Sequence, residues 1–111
     1  MVSVETTKKL ALSFEEVIEL PHFERTSFRV NKKIFATLDT ANKTVCVKLS
    51  EVEQSVYSKI DPKTIYPIPN KWGKLGWTSI ELKKINKELL VELLTKSYCN
   101  VAPKKLGEKY L

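Results

Sequence analysis

The sequence predicts an α+β fold, a two-layer sandwich in which an antiparallel sheet of about five strands carries helices on one face. Three observations predict it. Period-two runs rich in β-branched and aromatic residues fill positions 27–49, interrupted only by short polar turns. Runs with helical spacing lie before that block, directly after it and near the C-terminal end. The chain has 111 residues, 42% hydrophobic and 29% charged, which suits one self-standing core. The expected order is α-β-β-β-α-β-β-α in a single domain over residues 1–111, with 104–111 as a short basic tail.

The first helix is expected from Ser3 to about Leu12, with Ser3 as its cap and Val4, Lys8, Leu10 and Ala11 at helical spacing. An acidic stretch follows, and Val17, Ile18 and Leu20 before Pro21 read as extended, because a residue preceding proline is pushed away from helix. Ser27–Val30 and Lys33–Leu38 form a hairpin about the pair Asn31-Lys32, since asparagine tolerates the left-handed conformation of a tight turn. The turn Asp39–Lys43 leads into a third strand, Thr44–Leu49.

Ser50 and Glu53 make a capping box for a short helix with Val52, Val56, Tyr57 and Ile60 as its apolar side, stopped by Asp61-Pro62. Ile65–Pro69 is extended, and its prolines keep it out of a central position in a sheet. Residues 70–76 read as a loop and Trp77–Leu82 as the last strand. The final helix runs from about Asn86 to Asn100, striped by Leu89, Leu90, Leu93, Leu94, Ser97, Tyr98 and Val101, and Pro103 ends it.

Strict alternation sorts the strands into two faces. Phe28, Val30, Ile34, Ala36, Leu38, Val45, Val47 and Leu49 form the apolar, helix-covered face. Arg29, Lys33, Phe35, Thr37, Thr44, Cys46 and Lys48 form the other, basic and largely solvated.

Charge is the most distinctive chemical feature. The formal net charge is +6, but residues 25–48 alone carry +5 (six basic residues against Asp39) and residues 63–87 carry another +5 (six lysines against Glu81). Residues 1–24 are net −3. Parts for catalysis are missing by comparison. There is one histidine, His22, and no serine or cysteine sits in a nucleophile motif. Three glycines allow neither a dinucleotide fingerprint nor a P-loop. No enzyme activity, cofactor or metal is therefore expected. Cys46 and Cys99 read as buried, reduced thiols, Glu15, Glu16 and Glu19 as a solvated acidic face, and His22 as a loop anchor. No apolar run reaches the roughly 20 residues of a membrane span and no signal segment opens the chain, so a cytoplasmic location is expected.

Several stretches resemble the MmcQ/YjbR family. They are Pro21–Val30 (PHFERTSFRV), Lys33–Leu38 (KIFATL), Lys71–Thr78 (KWGKLGWT), and Ser97-Tyr98 through Val101–Leu106 (VAPKKL), in order over nearly the whole chain. The resemblance implies a secretion-chaperone-like or frataxin-like two-layer α+β arrangement. It also implies DNA binding, with the sheet and its hairpin loops as paired wings, and brings no cofactor or catalytic set.

The candidate nucleic-acid-binding residues are Arg25, Arg29, Lys32, Lys33, Phe35, Lys43, Lys48, Lys71, Trp72 and Lys74. Fixed lysine and arginine charges meet phosphates, and exposed aromatic rings stack on bases. If the turn at 31–32 and the loop at 70–76 project on one side, they clamp a backbone between them. Trp77, opening a strand, reads as core, whereas Trp72 is open between core and surface. The expected partner is DNA, bound non-specifically through phosphates, although DNA and RNA, single- and double-stranded, are not distinguished. The alternative is a protein-interaction module docking an acidic partner on the open face, anchored by Phe35 and Cys46. A small ligand near His22, Trp72 and Trp77 is a third possibility. No membrane partner is expected, and a monomer is expected over an oligomer.

Overall fold

The computed structural model describes residues 1–110. Helix α1 (Val4–Leu12) precedes strands β1 (Val17–His22), β2 (Arg25–Val30), β3 (Lys33–Asp39) and β4 (Thr44–Lys48). Then follow α2 (Glu51–Ile60), β5 (Ile65–Pro67), the short helix α3 (Lys71–Lys74) and β6 (Trp77–Glu81). Helix α4 (Lys87–Val101), helix α5 (Lys104–Gly107) and a 3-10 turn (Glu108–Tyr110) complete the described residues. The sheet is antiparallel throughout, in the order β1-β2-β3-β4-β6-β5.

The α+β class, the antiparallel sheet and the helical layer are as expected, but the sheet has six strands. The additional one is β1, which pairs along its whole length with β2, from Val17 opposite Val30 to His22 opposite Arg25. Its Pro21 has no N–H to donate, and an edge position is where that costs nothing. Pro67 stands in the opposite edge strand, β5. Proline at both edges blunts them against further strand pairing. Residues 104–110 are also no loose tail. Leu106 and Gly107 are buried, and the Tyr110 ring packs 5.0 Å from Phe14. Leu111, the last residue of that expected tail, lies outside the described residues.

Local signals place the helices as read. Ser3 accepts from the Thr6 N–H, and Ser50 and Glu53 form the reciprocal capping box. Asn86 caps α4 by accepting from the Leu89 N–H. Helix α4 lays Leu90, Leu93, Leu94 and Tyr98 on Phe28, Leu38, Val45, Val47 and Ile80, all of them fully buried. Each such side chain contributes about 1.5–3 kcal/mol by leaving water.

Helix α2 departs from its expected orientation. Tyr57 turns inward, but Val52, Val56 and Ile60 are 72%, 50% and 64% exposed. The inner side is polar because it has polar work to do. Gln54 Nε2 donates to the carbonyls of Gly73 (2.9 Å) and Trp77 (3.3 Å) and to Thr78 Oγ1 (3.1 Å). Glu53 accepts from the Ser50 N–H and from Asn100. These bonds tie α2 to α3, β6 and α4, and they rotate the aliphatic stripe outward.

One register shift decides the composition of both sheet faces. Phe28 pairs with Ala36 but Arg29 pairs with Ile34, so Phe35 is an extra residue on β3, a β-bulge. Phe35 and Ala36 consequently both point to the helical layer and are fully buried. Phe35 meets Tyr98 edge-on at 5.5 Å and Phe14 at 5.9 Å. A bulge leaves backbone groups without a strand partner. Ser97, fully buried on α4, supplies one: its hydroxyl donates to the Phe35 carbonyl (2.5 Å) and accepts from the Lys48 N–H (2.7 Å).

Candidate nucleic-acid interface

The face of the sheet away from the helices is built from short side chains in the middle and long ones at the rim. The register places Ser27, Thr37, Cys46 and Ser79 in one cross-strand row. Tyr66 and Leu20 extend the row to the two edges. Ser27, Cys46 and Ser79 are buried although no helix covers them, because the long side chains around them fold over the row. Arg25 lies across it, with Nη1 3.3 Å from Cys46 Sγ and 3.5 Å from Thr37 Oγ1, and Nη2 3.7 Å from Asp39 Oδ2. Arg29 Nε donates to Ser27 Oγ (3.0 Å), which itself donates to the Leu20 carbonyl (2.8 Å). Tyr66 hydrogen-bonds the Glu81 carboxylate, and that bond, with burial, raises its pKa above the usual phenol value.

Two clefts lie near this row, one at the end of the sheet reaching Asn100 and Val101 of α4 and one over the row itself. The first, about 640 Å³, lies at the end of the sheet where β3 and β6 begin and β4 ends, and is lined by Lys33, Lys48 and Lys74 with Glu51 as its acidic member. Ile34, Leu75 and Trp77 line it as well. The second, about 520 Å³ and mostly apolar, lies between the tip of the β1-β2 hairpin (His22, Phe23) and α3 (Asn70, Trp72). Its remaining lining comes from Arg25, Ile34, Thr37, Cys46, Ile68 and Trp77. Ile34 and Trp77 line both clefts, which are therefore adjacent.

Two glycines set the geometry of the wall. A Cβ on Gly73 would lie 2.0 Å from the Ile68 carbonyl oxygen, so α3 sits flat on the chain leaving β5. Gly76 has φ +106°, and a Cβ there would lie 2.0 Å from the Leu49 oxygen. Its carbonyl accepts from the Leu49 N–H (2.9 Å), which locks the 75–77 turn against the end of β4. Trp72 and Trp77 are thereby held at the clefts, and neither belongs to the core, contrary to the expectation for Trp77. Trp72 is 51% exposed. Lysine ammonium groups ride over both rings, Lys71 at 5.7 Å from Trp72 and Lys48 at 5.6 Å from Trp77.

The ten residues singled out from sequence have different fates. Lys33, Lys48 and Lys74 come together in the first cleft, with Lys32 in the adjoining turn, so the 31–32 turn and the 70–76 segment do lie at one end of the sheet. Lys71 and Trp72 form a stacked pair, and Arg25 and Trp72 line the second cleft. Arg29 is engaged by Ser27. Lys43 is at the far end of β4 from Lys48, about 16 Å away for a strand of that length. Lys63, Lys83 and Lys84 gather at that far end too, where the Lys43 carbonyl accepts from Leu82 and the Lys63 carbonyl from Lys84. Each basic block of the sequence is thus cut in two.

Phe35 is the clear correction. The bulge carries it into the core, and Ile34, assigned to the covered face by alternation, takes its place on the open one. Lys33, assigned to the open face, stands opposite Val30 on the helix side at the end of the sheet. Cys46 does lie on the open face but is buried beneath Arg25 and its neighbours, so the apolar anchors expected for an acidic protein partner there are gone. Both cysteines are free thiols, Cys46 buried and Cys99 half-buried. Sequence reasoning passed over Phe23, Asn70 and Ile68. Phe23 is 93% exposed and has φ 58°, a conformation that a bulky residue rarely adopts.

A protein-family model, YjbR, matches residues 12–100. The chain belongs to the YjbR family. Among solved structures, the crystal structure of Deinococcus radiodurans protein DR2400, with family-model domain DUF419, is similar with a TM-score of 0.82. The match covers 99% of this chain and 88% of that one at 21% identity, which is a likeness of fold. No curated protein matches. The YjbR-matched segment contains all six strands and every residue lining the second cleft. Among the described residues, no helix is long and apolar enough to cross a membrane.

Proposed function

We propose that this YjbR-family chain is a non-enzymatic nucleic-acid-binding protein that holds a phosphate backbone, DNA in the first instance, in the cleft of Lys33, Lys48 and Lys74. The observation that carries the reading is the convergence of those three lysines, from β3, β4 and α3, on one cleft. Their ammonium groups neutralise phosphates with little regard to base sequence, and Lys32 and Lys71 flank them. Neutralising about three phosphates of duplex DNA gives a log–log salt dependence of affinity with a slope of roughly −3. Titration of a labelled duplex at two salt concentrations measures it. The double variant Lys33→Glu with Lys74→Glu is expected to abolish low-salt binding. Absence of binding by the native chain at low salt, or equal binding by the variant, overturns the proposal.

One observation favours a second reading, a protein-docking surface, but on α2 instead of the open sheet face. Val52, Val56 and Ile60 form an aliphatic stripe one helical turn apart and more than half of it is exposed. On that reading Val56→Asp abolishes capture of a stoichiometric protein partner after nuclease treatment and leaves duplex affinity unchanged.

A further inference from the structure

We infer that the apolar cleft between the β1-β2 hairpin tip and α3 is a pocket for an unpaired nucleobase, so that the preferred ligand is a single strand. The inference rests on the phosphate-binding reading of the adjoining lysine cleft and goes further, to the form of the nucleic acid. Four observations carry it. The cleft, about 520 Å³, is mostly apolar and ringed by aromatic side chains: His22, Phe23, Trp72 and Trp77. It adjoins the lysine cleft across Ile34 and Trp77, so a strand with its phosphates at Lys33, Lys48 and Lys74 has its bases within reach of these rings.

Two of the rings are presented at a cost. Phe23 is held at φ 58° with its ring almost wholly in water, and Trp72 is half exposed on a four-residue helix that only a glycine lets approach the sheet. Neither arrangement serves the core, and backbone strain of this kind gathers at ligand sites. Finally, polar groups suited to a base edge are spaced around a mostly apolar lining: the Arg25 guanidinium on the floor, held there by Cys46, Thr37 and Asp39, and the Asn70 side-chain amide in the wall, its Oδ1 capping α3. Bases in a duplex have their faces buried in the stack, whereas an unpaired base offers a face to an aromatic ring.

The chain carries its own reporter, because Trp72 and Trp77 are its two tryptophans and both line the cleft. An oligothymidylate of about eight nucleotides, its abasic counterpart and a duplex of equal length are titrated by tryptophan fluorescence and by anisotropy of a label on the strand. The expected result is quenching by the oligothymidylate and an affinity roughly tenfold or more above that of the abasic strand. Trp72→Ala and Phe23→Gly are each expected to erase that difference while the salt-dependent binding of abasic strand and duplex persists. Equal affinity for base-bearing and abasic strands overturns the base pocket and leaves the phosphate reading standing. Failure of all three probes to bind at low salt overturns both.

Discussion

The two faces of the sheet obey different rules. On the helix-covered face, burial and size agree with sequence alternation everywhere but at the β3 bulge: Phe28, Val30, Leu38, Val45, Val47 and Ile80 meet the leucines of α4, and the buried hydroxyls of Thr7, Thr78, Ser97 and Tyr98 are all hydrogen-bonded. On the open face, small residues are buried by the side chains around them, and the apolar cleft lies where a hairpin tip and a four-residue helix overhang the strands, next to the lysine cleft at the end of the sheet. The covered face is held by area removed from water. The open face is held by a few directed contacts among its charged, polar and aromatic groups. Stability and binding should therefore respond to different substitutions.

The largest separation is expected at Phe35. Phe35→Ala should lower unfolding free energy by about 3–5 kcal/mol, read by urea denaturation, because a fully buried ring is lost from the Phe14–Tyr98 cluster. A loss within about 0.5 kcal/mol, as for a surface residue, would return Phe35 to the open face and undo the bulge. Ser97→Ala comes next, at about 2–4 kcal/mol, since it strands both the Phe35 carbonyl and the Lys48 N–H in the interior. Tyr98 lies in the same layer, and burial pushes its phenol up to about 12. Burial and the Glu92 carboxylate push Tyr57 up to about 12 as well, so spectrophotometric titration should find at least two tyrosines that stay protonated well above the usual range until the fold opens.

Gly73→Ala tests the wall that joins the faces. The added methyl meets the Ile68 backbone oxygen, so α3 must lift, and a loss of roughly 1–3 kcal/mol should accompany altered tryptophan emission. Lys33→Glu with Lys74→Glu should do the reverse of Phe35→Ala, removing nucleic-acid binding while stability stays within about 0.5 kcal/mol. A large stability loss there would mean that the lysine cleft is structural.

The smallest effect is in acid. Hydrogen bonds from Asn42, with the Arg25 charge nearby, hold the Asp39 carboxyl below its ordinary value of 3.8. A depressed carboxylate contributes stability that is present above its unfolded pKa and is lost as pH falls through the lower folded value. Asp39→Asn should then weaken the chain slightly at neutral pH and flatten its stability profile below about pH 4. An unchanged acid limb would show that Asn42 and Arg25 do nothing for that turn.

Much of this was legible in the residues. Ser3, Ser50 with Glu53, and Asn86 announced three helix starts through local capping chemistry, and the stripe on α4 announced its buried face. Asn31 and Lys32 both take positive φ, as the two-residue hairpin requires. Phe35 was not legible, because a bulge inserts one residue without altering the local apolar pattern and reverses the faces of Lys33, Ile34 and Phe35 together. The outward stripe on α2 was hidden for a related reason. Its orientation depends on Gln54 finding the carbonyls of Gly73 and Trp77, some twenty positions away.

By itself, then, the sequence determined the fold class, the helix caps, the first hairpin and the leucine layer, because each depends on residues within one turn or one strand of each other. Only the tertiary structure decided which lysines meet at one cleft. Charge counted along the chain made two equal blocks, but a strand carries its two ends about 16 Å apart, so neighbours in sequence part company. Lys33, Lys48 and Lys74 meet because β3, β4 and the segment entering β6 share one end of the sheet, and register, not composition, brings them there.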